Sequence, residues 1–109
     1  MTDTTYNGWT NRETWATALR INNDEALLEL AQDYTITALN EHSSAEDCSA
    51  VQCLAESLEY WLTEDLLTRE NIAGNEGLWL MLSDIGSLYR VNWRELAEAF
   101  IGDTAEAVA

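Results

Sequence analysis

Residues 44–69, SAEDCSAVQCLAESLEYWLTEDLLTR, decide the fold, because at about 100° per residue they sort into two opposed faces. Val51, Leu54, Ala55, Leu58, Trp61 and Leu62 share one stripe in the i, i+3, i+4, i+7 pattern of an amphipathic helix. Glu56 and Glu59 point the other way. Glu70 joins them if the helix runs on, and Glu46 and Glu64 flank that polar side. One helix over the whole stretch is therefore expected, its apolar face in a core and its acidic face outward. Asp65 falls with Leu58, Trp61 and Leu62, where an unpaired carboxylate is expensive. Either the helix frays there or one of Arg12, Arg20 and Arg94 meets it.

Toward the N-terminus, residues 1–5 form a polar lead expected to be mobile. Asn7-Gly8 is a turn signal between Tyr6 and Trp9. Thr10 with Glu13 matches the S/T-x-x-E capping box, so a short helix to about Ile21 should follow, with Trp15, Ala18, Leu19 and Asn22 on its inner side. Asn22 and Asn23 break it and can cap a second helix, with Asp24 and Glu25 in a first turn whose dipole favours negative charge. That helix, to about Leu39, turns Leu27, Ala31, Tyr34 and Ala38 inward and sets Glu25, Glu29 and Asp33 in an i, i+4, i+8 stripe opposite. Like charges so spaced cost only about 0.2–0.5 kcal/mol per pair, so the fold tolerates this stripe without requiring it. Residues 40–44 connect to the long helix, which Ser44 with Asp47 is suited to cap.

Beyond Arg69, Gly74 suits a C-cap and Asn75 an N-cap. A fourth helix, from Glu76 to about Arg90, is apolar over more than half its circumference and is expected to be the most buried. Gly86 within it marks a close crossing or a break. Asn92 and Glu95 start a fifth helix that turns Trp93, Leu96, Ala97 and Phe100 inward and stops at Gly102. Pro, strand-like alternation and solenoid repeats are absent from the sequence. The expected fold is an all-α, non-parallel bundle of about five helices in a single domain, residues 1–109, with 103–109 mobile. Its centre should hold Leu58, Trp61, Leu78, Leu82, Ile85, Leu96 and Phe100.

Charge narrows the function classes. Twenty acidic residues against five basic give a net −15, and residues 24–70 alone carry twelve acidic residues and one Arg. Direct binding to nucleic acid or to an anionic membrane relies on neutralising phosphate, so a basic partner is the complement. There is no Lys, and the five Arg read mostly as internal carboxylate stitches. Without 18 consecutive apolar residues or a basic-then-apolar start, neither a membrane span nor a secretory signal is expected, which places the chain in the cytoplasm. Cys48 and Cys53 lie roughly 140° apart on one helix and cannot pair within it. His42 is the only His and falls in a loop without His/Cys ligand spacing, and residues 22–25 lack the pattern of a calcium loop, so no metal or cofactor is expected. Nucleophile elbows, P-loops and dinucleotide motifs are missing, and no enzyme is expected. The five Trp read as core, with Trp9 the one exposed anchor.

NGWTNRETW (7–15), INNDE (21–25) and VNWRELAEAFI (91–101) resemble an uncharacterised family of small proteins from phages, archaea and mobile elements. The resemblance implies a mobile-element accessory protein, and small acidic proteins of that setting are similar to antirestriction and anti-CRISPR inhibitors, which set carboxylates where a nuclease expects phosphates. The expected function is inhibition of a basic, nucleic-acid-binding host defence protein, with Glu25, Glu29, Asp33, Glu56, Glu59 and Glu64 as the contact surface. Two other readings stand beside it. One is a helical adaptor or dimerising protein using an apolar patch near Ile36 and Leu66. The other is a surface that is merely solvated, as salt adaptation would also produce, although thirteen Glu against seven Asp is not Asp-heavy.

Overall fold

The computed structural model describes residues 8–42 and 48–108, with side chains described except at 48, 49 and 105–108. Its helices are α1 (Arg12–Asn22), α2 (Glu25–Glu41), α3 (Cys48–Tyr60), α4 (Arg69–Ala73), α5 (Glu76–Ile85) and α6 (Trp93–Val108). A π-helical segment, Trp61–Leu66, prolongs α3, and a 3-10 turn, Leu88–Arg90, precedes α6. Among the described residues there is no strand, so the chain is all-α, as its periodicity requires.

Helices α2, α3 and α6 pack against one another as the central layer. Small residues on α2, namely Ala31, Thr35 and Ala38, are buried and let its neighbours approach closely. Against them stand Leu54, Leu58, Trp61 and Leu62 of the α3 unit and Leu96, Ala97, Phe100 and Ile101 of α6, all buried. Tyr34 and Trp61 meet with ring centroids 5.5 Å apart. Helix α1 packs against α2, α5 and α6, while α5 touches mainly α1 and α4. The molecule measures 40 × 39 × 21 Å, so its short axis is only about two helix diameters thick.

The two end motifs clasp each other. Asn11 caps α1, its Oδ1 accepting from the Thr14 N–H at 2.9 Å and from the Thr14 hydroxyl at 2.7 Å. The fully buried Thr14 hydroxyl oxygen in turn accepts from the Asn92 N–H at 2.9 Å. Asn92 caps α6 through the Glu95 N–H, and the Glu95 carboxylate accepts from the Thr10 N–H at 2.9 Å. The Asn11 amide closes the circuit by donating to the Arg90 carbonyl at 2.8 Å.

Several expectations are corrected. Asn11, not Thr10, caps α1, because only Asn11 Oδ1 serves both Thr14 donors. The buried residues of α1 are Thr14, Ala16, Thr17, Ala18 and Ile21, whereas Leu19 and Asn22 are exposed. Asp24 is itself the α2 cap, accepting from Ala26 and Leu27. The long helix is not one α-helix to Arg69. Within the π segment the Thr63 hydroxyl donates to the Glu59 carbonyl at 2.6 Å. The Leu67 N–H then reaches back five residues to the Leu62 carbonyl at 3.0 Å, the π pattern. Asn71 donates to the Asp65 and Leu66 carbonyls and closes that end. The widened turn leaves Asp65 exposed, and Arg12 and Arg20 pair elsewhere.

Helix α5 stops at Gly86, whose φ of +88° suits glycine and forbids simple continuation. Nothing crowds the position a Cβ would take, so Gly86 marks a break and not a close crossing. Nor is α5 the most buried helix. Met81 and Ile85 are buried, Leu78 and Leu82 only half so, and Trp79 and Leu80 are exposed because α5 lies at the edge of the layer. Helix α6 runs through Gly102 to Val108. Trp9 is half-buried against the core, and Trp79, 55% exposed, is the outward tryptophan. The expected cap Ser44–Asp47 and the lead at residues 1–5 lie outside the described residues.

Candidate functional site

The six carboxylates marked for partner contact fall into two groups. Glu25, Glu29 and Asp33 are exposed along α2, opposite the buried Ala31, Thr35 and Ala38 that fix its rotation. Glu56 and Glu59 are exposed on α3, and Glu64 is exposed on the π segment. In a regular α-helix Glu64 would stand about 140° from Glu59, but i to i+5 stacking in the π turn draws residues five apart into line. Glu56, Glu59, Tyr60, Thr63 and Glu64 consequently line one open depression of about 270 Å³. The α2 trio lines no part of it. Tyr60, 62% exposed, lines the same depression and is absent from the contact residues expected from the sequence. Its signal was an aromatic on the polar side of the helix.

The cations gather elsewhere. Asp84 of α5 accepts from Arg12 Nη2 at 3.4 Å and Arg20 Nε at 3.1 Å, and Arg90 Nε lies 3.5 Å from Glu13 Oε2. Three of the five Arg are thus tied among α1, α5 and the 3-10 turn. Among the described residues none of the six carboxylates takes part in an ion pair. Glu56 accepts only a long contact from Gln52 Nε2, at 3.5 Å.

A second depression, about 410 Å³, lies between α2 and α6 and is lined in part by Leu28, Ile36 and Phe100. Ile36 is 47% exposed there, whereas Leu66 is half-buried against the core and belongs to the fold. At the end of α2, Glu41, His42 and Cys53 bring a carboxylate, an imidazole and a thiol within 4.8 Å of one another. Burial raises the Cys53 pKa above the ordinary thiol value, and the charge of Glu41 and its hydrogen bond, with Glu56 beyond, push the same way against a smaller opposing bond from Ser57. No helix among the described residues is long and apolar enough to cross a membrane.

A family model matches residues 2–76 of this chain. The chain belongs to DUF7249, a family of unknown function. The DUF7249 match takes in NGWTNRETW and INNDE together with both acidic groups, and it ends at Glu76, before VNWRELAEAFI. The third motif is therefore joined to the DUF7249 region by the clasp at Thr14 and Asn92 and not by the family match. No curated protein and no solved structure matches the chain.

Proposed function

We propose that this protein is an acidic inhibitor that occupies the basic groove of a nucleic-acid-binding protein, in the manner of phage-borne antirestriction and anti-CRISPR factors acting in the host cytoplasm. The observation that carries the reading is charge segregation. Three Arg are committed to Asp84 and Glu13, while the outward carboxylates of α2 and of the α3 depression are left without an internal cation among the described residues. Carboxylates four residues apart on a helix recur about every 6 Å, against about 3.4 Å per phosphate on one DNA strand. Each stripe carries roughly half a strand's linear charge, which suits local engagement of an Arg- and Lys-lined surface without imitating a whole duplex. Tyr60, set among Glu56, Glu59 and Glu64, adds an aromatic face on which a partner Arg can stack.

The test is capture from a host lysate at low salt, followed by competition with duplex DNA and RNA. The expected partner binds nucleic acid, is released by competitor and by rising salt, and is lost when Glu56 and Glu59 are reversed to Arg. A partner that keeps full nucleic-acid affinity while holding this protein, with capture intact after the reversal, refutes the reading. Exposed Ile36 beside Leu28 and Phe100 favours the second reading, a dimerising or adaptor surface. Dimers that persist at high salt in sedimentation and dissociate on Ile36→Glu would support it over the first.

A further inference from the structure

We propose that Glu41, His42 and Cys53 form a zinc site that ties the C-terminal end of α2 to α3. The three residues offer one oxygen, one nitrogen and one sulfur, and the ligand atoms already lie within 4.8 Å of one another. Bond lengths of about 2.0–2.3 Å in a tetrahedral arrangement place ligand atoms about 3.4–3.6 Å apart. Cys53 Sγ and Glu41 Oε2 stand at 3.8 Å, so closing the set needs about an ångström of side-chain movement, well within the reach of the exposed Glu41. Thiolate with imidazole selects a borderline-soft ion over magnesium or calcium, and with a carboxylate gives a three-ligand set that leaves the fourth position to water or to a group from a partner.

The placement of the three residues also favours a cation. Helix α2 ends here with no basic residue in its last turn, so its carbonyl end is uncompensated. The His42 N–H donates to the Ala38 carbonyl at 3.0 Å, which fixes the backbone from which the imidazole projects. Glu41 and Glu56 set negative potential on a half-buried thiol, a costly arrangement for a thiolate alone that a divalent ion reverses. On binding, the S–H bond breaks as the S–Zn bond forms, and the proton leaves to solvent.

Titration of the full chain with Zn²⁺, and with Co²⁺ as a spectroscopic probe, tests the site. The expected result is one ion per chain, a sulfur-to-cobalt charge-transfer band in the near ultraviolet, and displacement of cobalt by zinc. Cys53→Ser should abolish the band, and His42→Ala and Glu41→Gln should each weaken binding by at least about tenfold. Zinc should also protect Cys53 of the unaltered protein from alkylation, read at that residue by mass spectrometry, which needs no variant to fold. Cobalt held without a thiolate band, or with affinity unchanged in Cys53→Ser and His42→Ala, would be an ion on the acidic surface and would overturn the proposal. So would unprotected alkylation of Cys53 at saturating zinc.

Discussion

Replacing Thr14 by Val keeps the shape of a fully buried side chain and deletes its hydroxyl. In the structure that hydroxyl donates to Asn11 Oδ1 at 2.7 Å and accepts from the Asn92 N–H at 2.9 Å. Asn11 Oδ1 keeps its bond from the Thr14 N–H, so that side of the loss is an ordinary hydrogen bond, about 0.5–1.5 kcal/mol. The part-buried Asn92 N–H is left facing a methyl group, at about 1–3 kcal/mol for an unsatisfied donor. Together the change should cost about 1.5–4.5 kcal/mol. Thr17 and Thr35 are internal controls: equally buried, they donate only to the Glu13 and Ala31 carbonyls of their own helices, both at 2.8 Å. Thr17→Val and Thr35→Val should each cost less than about 1 kcal/mol, because backbone groups of the ladder remain to satisfy those carbonyls. Urea unfolding followed by circular dichroism, with unchanged m-values, reads the differences. A Thr14→Val loss no larger than that of Thr17→Val would show that the Thr14 hydroxyl contributes nothing to holding the two ends together.

Leu96→Ala, at a fully buried position on α6, should cost about 2–5 kcal/mol in the same assay, whereas Leu82→Ala on the half-buried face of α5 should cost about half as much. Asp84→Asn removes the carboxylate shared by Arg12 and Arg20, but the groups are 36–45% exposed, so the expected loss is at most about 1 kcal/mol and should vanish at high salt. For Cys53 the folded-state pKa is raised, so the protonated thiol is favoured by folding. The contribution is whole below the unfolded thiol value of about 8.5 and is lost as pH rises through the folded value. Cys53→Ala should flatten that alkaline decline in a denaturation series, and an identical slope would contradict it.

What the sequence disclosed was whatever depends on neighbours along the chain. The α3 stripe from Val51 to Leu62 is a local periodicity, and those side chains are buried apart from half-buried Ala55. The outward position of Glu25, Glu29 and Asp33 follows from the same arithmetic on α2. The apolarity of α5 was equally visible, but its share of the core depends on position in the layer, and contact mainly with α1 and α4 leaves Trp79 and Leu80 outside. Choosing Asn11 over Thr10 as the cap required knowing that Asn92 would arrive beside Thr14. The π segment, closed by the Leu67 N–H on the Leu62 carbonyl, has no signature in the local periodicity, and it is what gathers Glu64 with Glu56 and Glu59. His42 read as isolated because Cys53 reaches it through the packing of α2 on α3, not through ligand spacing.

The clasp also orders events in time. Its hydrogen bonds join residues 78 to 85 positions apart, and a chain made from its N-terminus can form α2 and α3 well before Asn92 and Glu95 exist. Until then Thr14 and Thr10 lack their distant partners, and the surfaces of α2 and α3 that α6 covers are open to water. Closing so long a loop is an entropic cost met only when most of the core is in place, so the clasp belongs to the late stage of folding. Cutting it at Thr14 should accordingly speed unfolding while leaving the folding rate nearly unchanged.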